Sequence, residues 1–234
     1  MQASHFEPSG EALAGVRLFS GLNPEEREVI ARACQGRRIP VGNALIHDGD
    51  PTNDVYFLVS GKMRATIFAV TGKEVAFRDF APGESIGELS AIDKRRRSAT
   101  VVALEESTVL GMTATAFWQL IETHPSVNRK LLQHLTGLVR GLNERVIEYS
   151  TLGVKNRVHA ELLRLALPDG DREAVIAEPP THQEIANRIS THREAVTREL
   201  NDLIRTGLLE RNKTQLIVRD LALLRQMVDD VKGV

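Results

Sequence analysis

Two periodicities divide the chain. Over residues 37–112 short apolar runs and alternating segments are broken by turn formers, the texture of β-structure, whereas the flanking segments carry apolar residues at helical steps of three and four. A first helix is expected over residues 24–34, opened by Asn23 as N-cap before Pro24, with Cys34 a small apolar residue near its end. Gly49-Asp50-Pro51-Thr52-Asn53-Asp54 is a turn, residues 55–59 form an apolar run, and Met63, Ala65 and Ile67 alternate with Lys62, Arg64 and Thr66. Thr71-Gly72-Lys73 turns the chain again, and residues 75–80, 98–104 and 108–112 supply further strands. Seven or eight short strands at this spacing predict a barrel or sandwich.

Helix returns over residues 114–123 and, after Pro125, over residues 126–150, the longest helical pattern in the chain. Its seam of Leu131, Leu135, Leu138, Leu142, Val146 and Tyr149 advances by 4, 3, 4, 4 and 3, close to a heptad repeat. A helix lying on its own domain is one reading; the favoured one is a coiled coil with a second copy, because a long helix leaving a β domain needs its apolar stripe covered. Arg140 and Glu144 beside Gly137 and Gly141 exclude a membrane helix. A second unit opens with a helix over residues 155–167, followed by a turn-rich connection from Pro168 to Pro180.

Two segments, Thr181-His182-Gln183-Glu184 and Thr191-His192-Arg193-Glu194, fit the capping-box pattern and start two helices ten residues apart. The first spans about residues 183–189, Ser190 lies in the turn, and the second runs to about Arg205 with Val196, Leu200 and Leu203 as its buried stripe. Arg193, Thr197, Arg198 and Asn201 fall on another face, the arrangement that sets side chains against base edges in a major groove. Residues 207–219 then read as a hairpin, a wing.

Charge sharpens this. The chain carries a formal −1, so nucleic-acid binding must come from a local patch. Residues 188–219 hold seven basic and four acidic side chains, a net +3. A single cysteine supports neither an internal disulfide nor an iron–sulfur cluster nor a zinc site. No stretch approaches the roughly 20 apolar residues of a membrane span and the first ten residues lack a secretory core, so a cytoplasmic location is expected. Neither a phosphate-binding P-loop, nor a metal-ligand cluster, nor a nucleophile with a base at a recognisable spacing is found, so no enzyme is expected.

The second constellation is Pro82-Gly83-Glu84-Ser85-Ile86-Gly87-Glu88-Leu89-Ser90 followed, across Lys94-Arg95-Arg96, by Arg97-Ser98-Ala99. It suits a cyclic phosphate: Gly87 lets backbone N–H groups approach an anion, the Arg97 fork pairs with phosphate oxygens, and Glu88 accepts from a sugar hydroxyl. With the helix-turn-helix, these residues make the chain resemble the cyclic AMP receptor protein (CRP/FNR) family of bacterial transcription regulators over nearly its whole length.

The resemblance implies an α+β architecture: a cyclic-nucleotide-binding, jelly-roll-like β-roll over residues 1–125, a dimerisation helix over 126–151 and a winged helix-turn-helix over 152–234. It implies a homodimer on a pseudo-palindromic, TGTGA-like DNA site. Glu88 would hold the ribose 2′-hydroxyl and Arg97 and Ser98 the cyclic phosphate, assisted by the backbone from Gly87 to Leu89. Arg193, Glu194 and Arg198 would read base edges, while Thr181, Gln183 and His192 contact phosphates or support the helix; His182 and Thr197 complete the DNA-binding set. Two positions depart from the family pattern. Leu142 stands where a threonine faces the adenine amino group, followed by Asn143 for serine, so cyclic AMP is preferred and cyclic GMP is its rival; Ser190 replaces the turn glycine. No metal, haem or iron–sulfur cofactor is expected, and an RNA polymerase contact in the 168–180 segment is left open. The alternatives are a ligand-binding module that regulates a partner protein and a family member that senses a different small ligand.

Overall fold

Asn23 starts the first helix as its side chain requires. In α1 (Pro24–Arg32) the Asn23 carboxamide oxygen accepts from the Glu26 N–H at 2.8 Å and the Glu26 carboxylate accepts from the Asn23 N–H at 2.8 Å, a closed capping box. The structure is a computed structural model describing residues 5–68, 74–170, 172–212 and 214–232; the Thr71-Gly72-Lys73 turn lies outside the described residues. The chain divides into two units between Leu138 and Val139.

In the first unit the strands are β1 (His5–Phe6), β2 (Cys34–Ile39), β3 (Ala44–Ile46), β4 (Val55–Ser60), β5 (Met63–Phe68), β6 (Glu74–Phe80), β7 (Ser85–Ile86), β8 (Thr100–Ala103) and β9 (Ser107–Met112). They form two antiparallel sheets, ordered β1-β2-β9-β4-β7 and β3-β8-β5-β6. The apolar run of β4 is explained by cover on both faces: Tyr56 and Leu58 enter the core shared with Met63, Phe80 and Val101, while Val55 and Phe57 pack with Phe19, Ile30 and Phe117. Cys34 does not end the helix as expected. The helix stops at Arg32 because Cys34 opens β2, registered against Met112 in a six-residue ladder with β9. There it is buried, which pushes its thiol up to about 12.

Helices α2 (Glu88–Asp93), α3 (Ala114–Thr123) and α4 (Pro125–Thr151) complete this part of the chain. The seam of α4 differs from the expected one. Leu131 is 4% exposed, packed in the first unit's own core, whereas Leu132, Val139, Leu142, Val146 and Tyr149 are all more than two-fifths exposed. With Leu135 these positions advance by 3, 4, 3, 4 and 3, so the exposed stripe takes Leu132 and Val139 in place of Leu131 and Leu138.

The second unit holds α5 (Val154–Leu165), β10 (Leu167–Asp169), β11 (Glu173–Ile176), α6 (His182–Arg188), α7 (Arg193–Arg205), β12 (Leu209–Arg211), β13 (Leu216–Val218) and α8 (Leu221–Lys232). The helix expected to reach residue 167 stops at Leu165, since Leu167 precedes Pro168 and is steered out of the helical region. The connection read as turns contains two strands: Ala174 and Ile176 point inward from β11 and pair with Val218 and Leu216 in the sheet β10-β11-β13-β12. Strands β12 and β13 are the expected wing hairpin. Val196, Leu200 and Leu203 are buried against Val158, Leu162 and Ile185. Among the described residues no helix is long and apolar enough to cross a membrane.

Candidate ligand site and nucleic-acid interface

Gly87 takes φ +87°, a left-handed conformation that favours glycine, and joins β7 to α2. A Cβ there would collide with Arg97 Nη1 and come within 3.0 Å of the Asp54 carbonyl oxygen. Arg97 is only 2% exposed. It donates from Nε to Thr52 Oγ1 at 3.1 Å, from Nη1 to the Gly87 carbonyl at 3.0 Å and from Nη2 to the Asp54 carbonyl at 2.7 Å. Burial pulls the Arg97 pKa down, opposed by Tyr56, Asp54, Asp50 and Glu88 nearby. Those bonds engage three of the five guanidinium N–H groups.

Glu88, the first residue of α2, has a side chain only 6% exposed, with Oε1 3.5 Å from His134 Nε2 on α4. That imidazole nitrogen is buried and, among the described residues, has no hydrogen-bond partner. Tyr56 stands close to Arg97, and its pKa is raised first by burial and then by Asp54, against Arg37 and Arg97. Gly87, Glu88 and Arg97 are thus brought together; Leu89 and Ser98 are exposed beside them. Leu142 and Asn143 are exposed on α4 beyond Leu138, in the second unit. Thr52, Asp54 and His134 were not singled out from the sequence: the first two act through a hydroxyl and a backbone carbonyl, and a lone helical histidine carries no local signal.

At the opposite end of the chain, Thr181 closes its capping box with Glu184 and starts α6. The second box does not form. Ser190 adopts φ +53° and the Thr191 N–H donates to the Ala186 carbonyl at 2.9 Å, which buries Thr191 and moves the N-cap of α7 to His192, without a side-chain cap bond. His182 Nδ1 is 2.7 Å from Thr197 Oγ1 and its Nε2 is 3.5 Å from Arg211 Nη1, so one imidazole touches both α7 and the wing. Its pKa is lowered by burial, Arg211 and Arg193. Gln183 is exposed and donates to Asn187 Oδ1.

The basic patch is narrower than the sequence count suggests. Arg188 pairs with Glu161, Arg205 with Asp202, and Arg219 with Glu173 and Glu210. Arg193, Glu194 and Arg198 are exposed, and among the described residues their side chains make no hydrogen bond or ion pair. The start of α7 therefore presents two uncommitted guanidinium groups and a carboxylate.

Residues 36–124 match the cyclic nucleotide-binding domain family, and residues 156–227 match the Crp-like helix-turn-helix domain family. The chain is 32% identical to the cyclic AMP receptor protein of Thermus thermophilus over 218 residues, 92% of this chain and 98% of that protein. It is 26% identical to the CRP-like cAMP-activated global transcriptional regulator of Mycobacterium tuberculosis over 213 residues, 90% and 95% of the two chains. Among solved structures, the Thermus thermophilus catabolite activator protein is similar at a TM-score of 0.52 and 30% identity, covering 92% of this chain and 99% of that one.

Proposed function

The chain belongs to the cyclic AMP receptor protein (CRP/FNR) family of transcription regulators, and we propose that it is a cytoplasmic homodimer that answers to a cyclic nucleotide, cyclic AMP before cyclic GMP, by gripping a pseudo-palindromic site. Cyclic-nucleotide binding and helix-turn-helix DNA binding come with the family. The nucleotide preferred, the dimer and the DNA sequence are our reading.

The observation that carries the ligand reading is the convergence of buried Glu88 and buried Arg97 on Gly87. A buried carboxylate, whose Oε1 stands 3.5 Å from the His134 imidazole nitrogen, suits a ribose hydroxyl. The two N–H groups of Arg97 left over from its three bonds among the described residues, with Ser98 and the backbone from Gly87 to Leu89, suit the cyclic phosphate. Leu142 offers the base no hydrogen bond, whereas the Asn143 amide donates and accepts and so serves either purine. The exposed stripe of α4 through Leu132, Val139, Leu142 and Val146 is the face for a second copy. Two-fold-related α7 helices would then enter major grooves about 34 Å apart, Arg193 facing guanine O6 and N7 and Glu194 accepting from a cytosine amino group of a TGTGA half-site, while Thr181, His182, Gln183, His192 and Thr197 sit where phosphates pass.

Calorimetric titration of the purified protein with cyclic AMP and cyclic GMP tests the ligand reading. We expect saturable binding, tighter for cyclic AMP and lost in Glu88→Ala. No binding of either nucleotide by the folded wild type would overturn it.

A further inference from the structure

The C-terminal end of α6 is held from outside. The last carbonyls of a helix have no intrahelical partner, and here no glycine follows to cap them: Ile189 is the C-cap and Ser190 turns the chain at φ +53°. Instead the Arg188 carbonyl accepts from Tyr149 Oη at 2.7 Å and from Arg145 Nη1 at 3.3 Å, and the Ile189 carbonyl accepts from Arg157 Nη1 at 3.0 Å. The Arg157 guanidinium also lies over the Tyr149 ring, 5.5 Å from its centroid. Glu161, 1% exposed, braces the group through Arg164 at 2.8 Å, Arg188 at 3.3 Å and Arg145 at 3.8 Å.

Tyr149 has a second property. It is 42% exposed and continues the α4 stripe, seven residues beyond Leu142 and three beyond Val146. A tyrosine suits such a place, since its ring is apolar and its hydroxyl polar. We infer that Tyr149 is a positioning residue for DNA reading: the ring belongs to the seam of α4 while the hydroxyl holds the end of α6, tying seam pairing to the aim of the recognition helix. This rests on the reading of α4 as the dimer seam and of α7 as the recognition helix. The turn after α6 is only four residues long before α7 begins at Arg193. A change in how the Arg188 carbonyl is held therefore reorients Arg193 and Glu194, and a change in the seam at Val146 and Tyr149 reaches that carbonyl through the Tyr149 hydroxyl, the shorter of its two bonds from α4, with Arg145 Nη1 the longer.

The test is Tyr149→Phe, which keeps the ring and removes only the hydroxyl. Three quantities are compared with wild type: dimer dissociation by sedimentation, hydrogen exchange of the Ile189 and Thr191 amides in DNA-free protein, and affinity for a TGTGA palindrome against random DNA, the last in saturating cyclic AMP and again in saturating cyclic GMP. We expect an unchanged dimer and amide exchange faster by several-fold. Specific affinity should fall roughly 2- to 12-fold, the factor given by a net hydrogen bond of about 0.5–1.5 kcal/mol, with random-DNA affinity unchanged. A side chain that merely stabilises the fold would not move the ratio of specific to random affinity. Unaltered exchange with an unaltered ratio would overturn the inference, and so would a loss of specific affinity fully matched by dimer dissociation. A wild type that shows no sequence preference would sink the recognition-helix reading instead, and the inference with it, which the wild-type arm reports separately.

Discussion

Gly87→Ala should unfold the ligand cradle from its centre. At φ +87° an alanine costs about 1–2 kcal/mol in backbone strain. The new Cβ also collides with Arg97 Nη1, so the guanidinium must leave the Gly87 carbonyl it bonds at 3.0 Å. A hydrogen bond to a charged group is worth about 1.5–3 kcal/mol. Against this, alanine restricts the unfolded chain and returns about 0.4–1 kcal/mol. The net is a loss of about 1.5–4.6 kcal/mol from a typical total of about 5–15 kcal/mol. The single tryptophan reports it directly, because Trp118 on α3 donates from Nε1 to the Ala91 carbonyl on α2 at 2.9 Å. Urea unfolding followed by Trp118 fluorescence should show a midpoint shifted well down, with cyclic-nucleotide binding weakened in the fraction that stays folded. Adding Arg97→Ala removes the collision, so the double variant should lose less than the sum of the two single losses. An unchanged midpoint for Gly87→Ala would refute the tight Gly87–Arg97 packing.

Three other perturbations separate the parts. Ser190→Gly places the natural residue at φ +53° and should raise the stability of the second unit by about 0.5–1 kcal/mol, seen as a higher thermal midpoint; a lowered midpoint would show that Ser190 makes an interaction worth more than its strain. His182 has a folded pKa below the ordinary 6.5, so the folded chain binds fewer protons there than the unfolded chain, and its contribution is intact above 6.5 and lost as pH falls through the folded value. His182→Gln should therefore lose less thermal stability than wild type between neutral pH and pH values below 6.5, and equal losses would remove His182 from the account. Arg193→Ala should cost about 1–3 kcal/mol on the specific site and far less on random DNA, measured by fluorescence anisotropy; equal losses on both would make Arg193 a phosphate contact.

What could be read from the chain alone was local. Asn23-Pro24 and Thr181 through Glu184 announce helix starts because their caps close within three residues. The stripe Val196, Leu200 and Leu203 and the apolar run of β4 survive as read because periodicity reports burial directly. Short strands such as β3 and β7 are held by partners dozens of residues away and have too few positions to show a period. Thr191 looks like Thr181 in sequence, but the bond from its N–H to the Ala186 carbonyl removes it from the N-cap. Leu131 and Leu132 are equally good seam candidates until the first unit's core takes Leu131. The same holds for function: Arg97 was legible as a fork, while Thr52, Asp54 and the His134 nitrogen facing Glu88 come from separate loops and helices. The hold of Tyr149 on α6 spans 39 residues and leaves no pattern in either segment.

The central claim is that ligand at the Glu88–Arg97 cradle governs the grip of α7 on DNA, and titration of cyclic AMP and cyclic GMP into the protein with a labelled TGTGA palindrome at fixed salt tests it most directly. The account predicts that one nucleotide sharply tightens binding to the palindrome, with little change on random DNA and no response in Glu88→Ala. Identical affinity for the palindrome with and without either nucleotide, in a protein that binds the nucleotide, would contradict it.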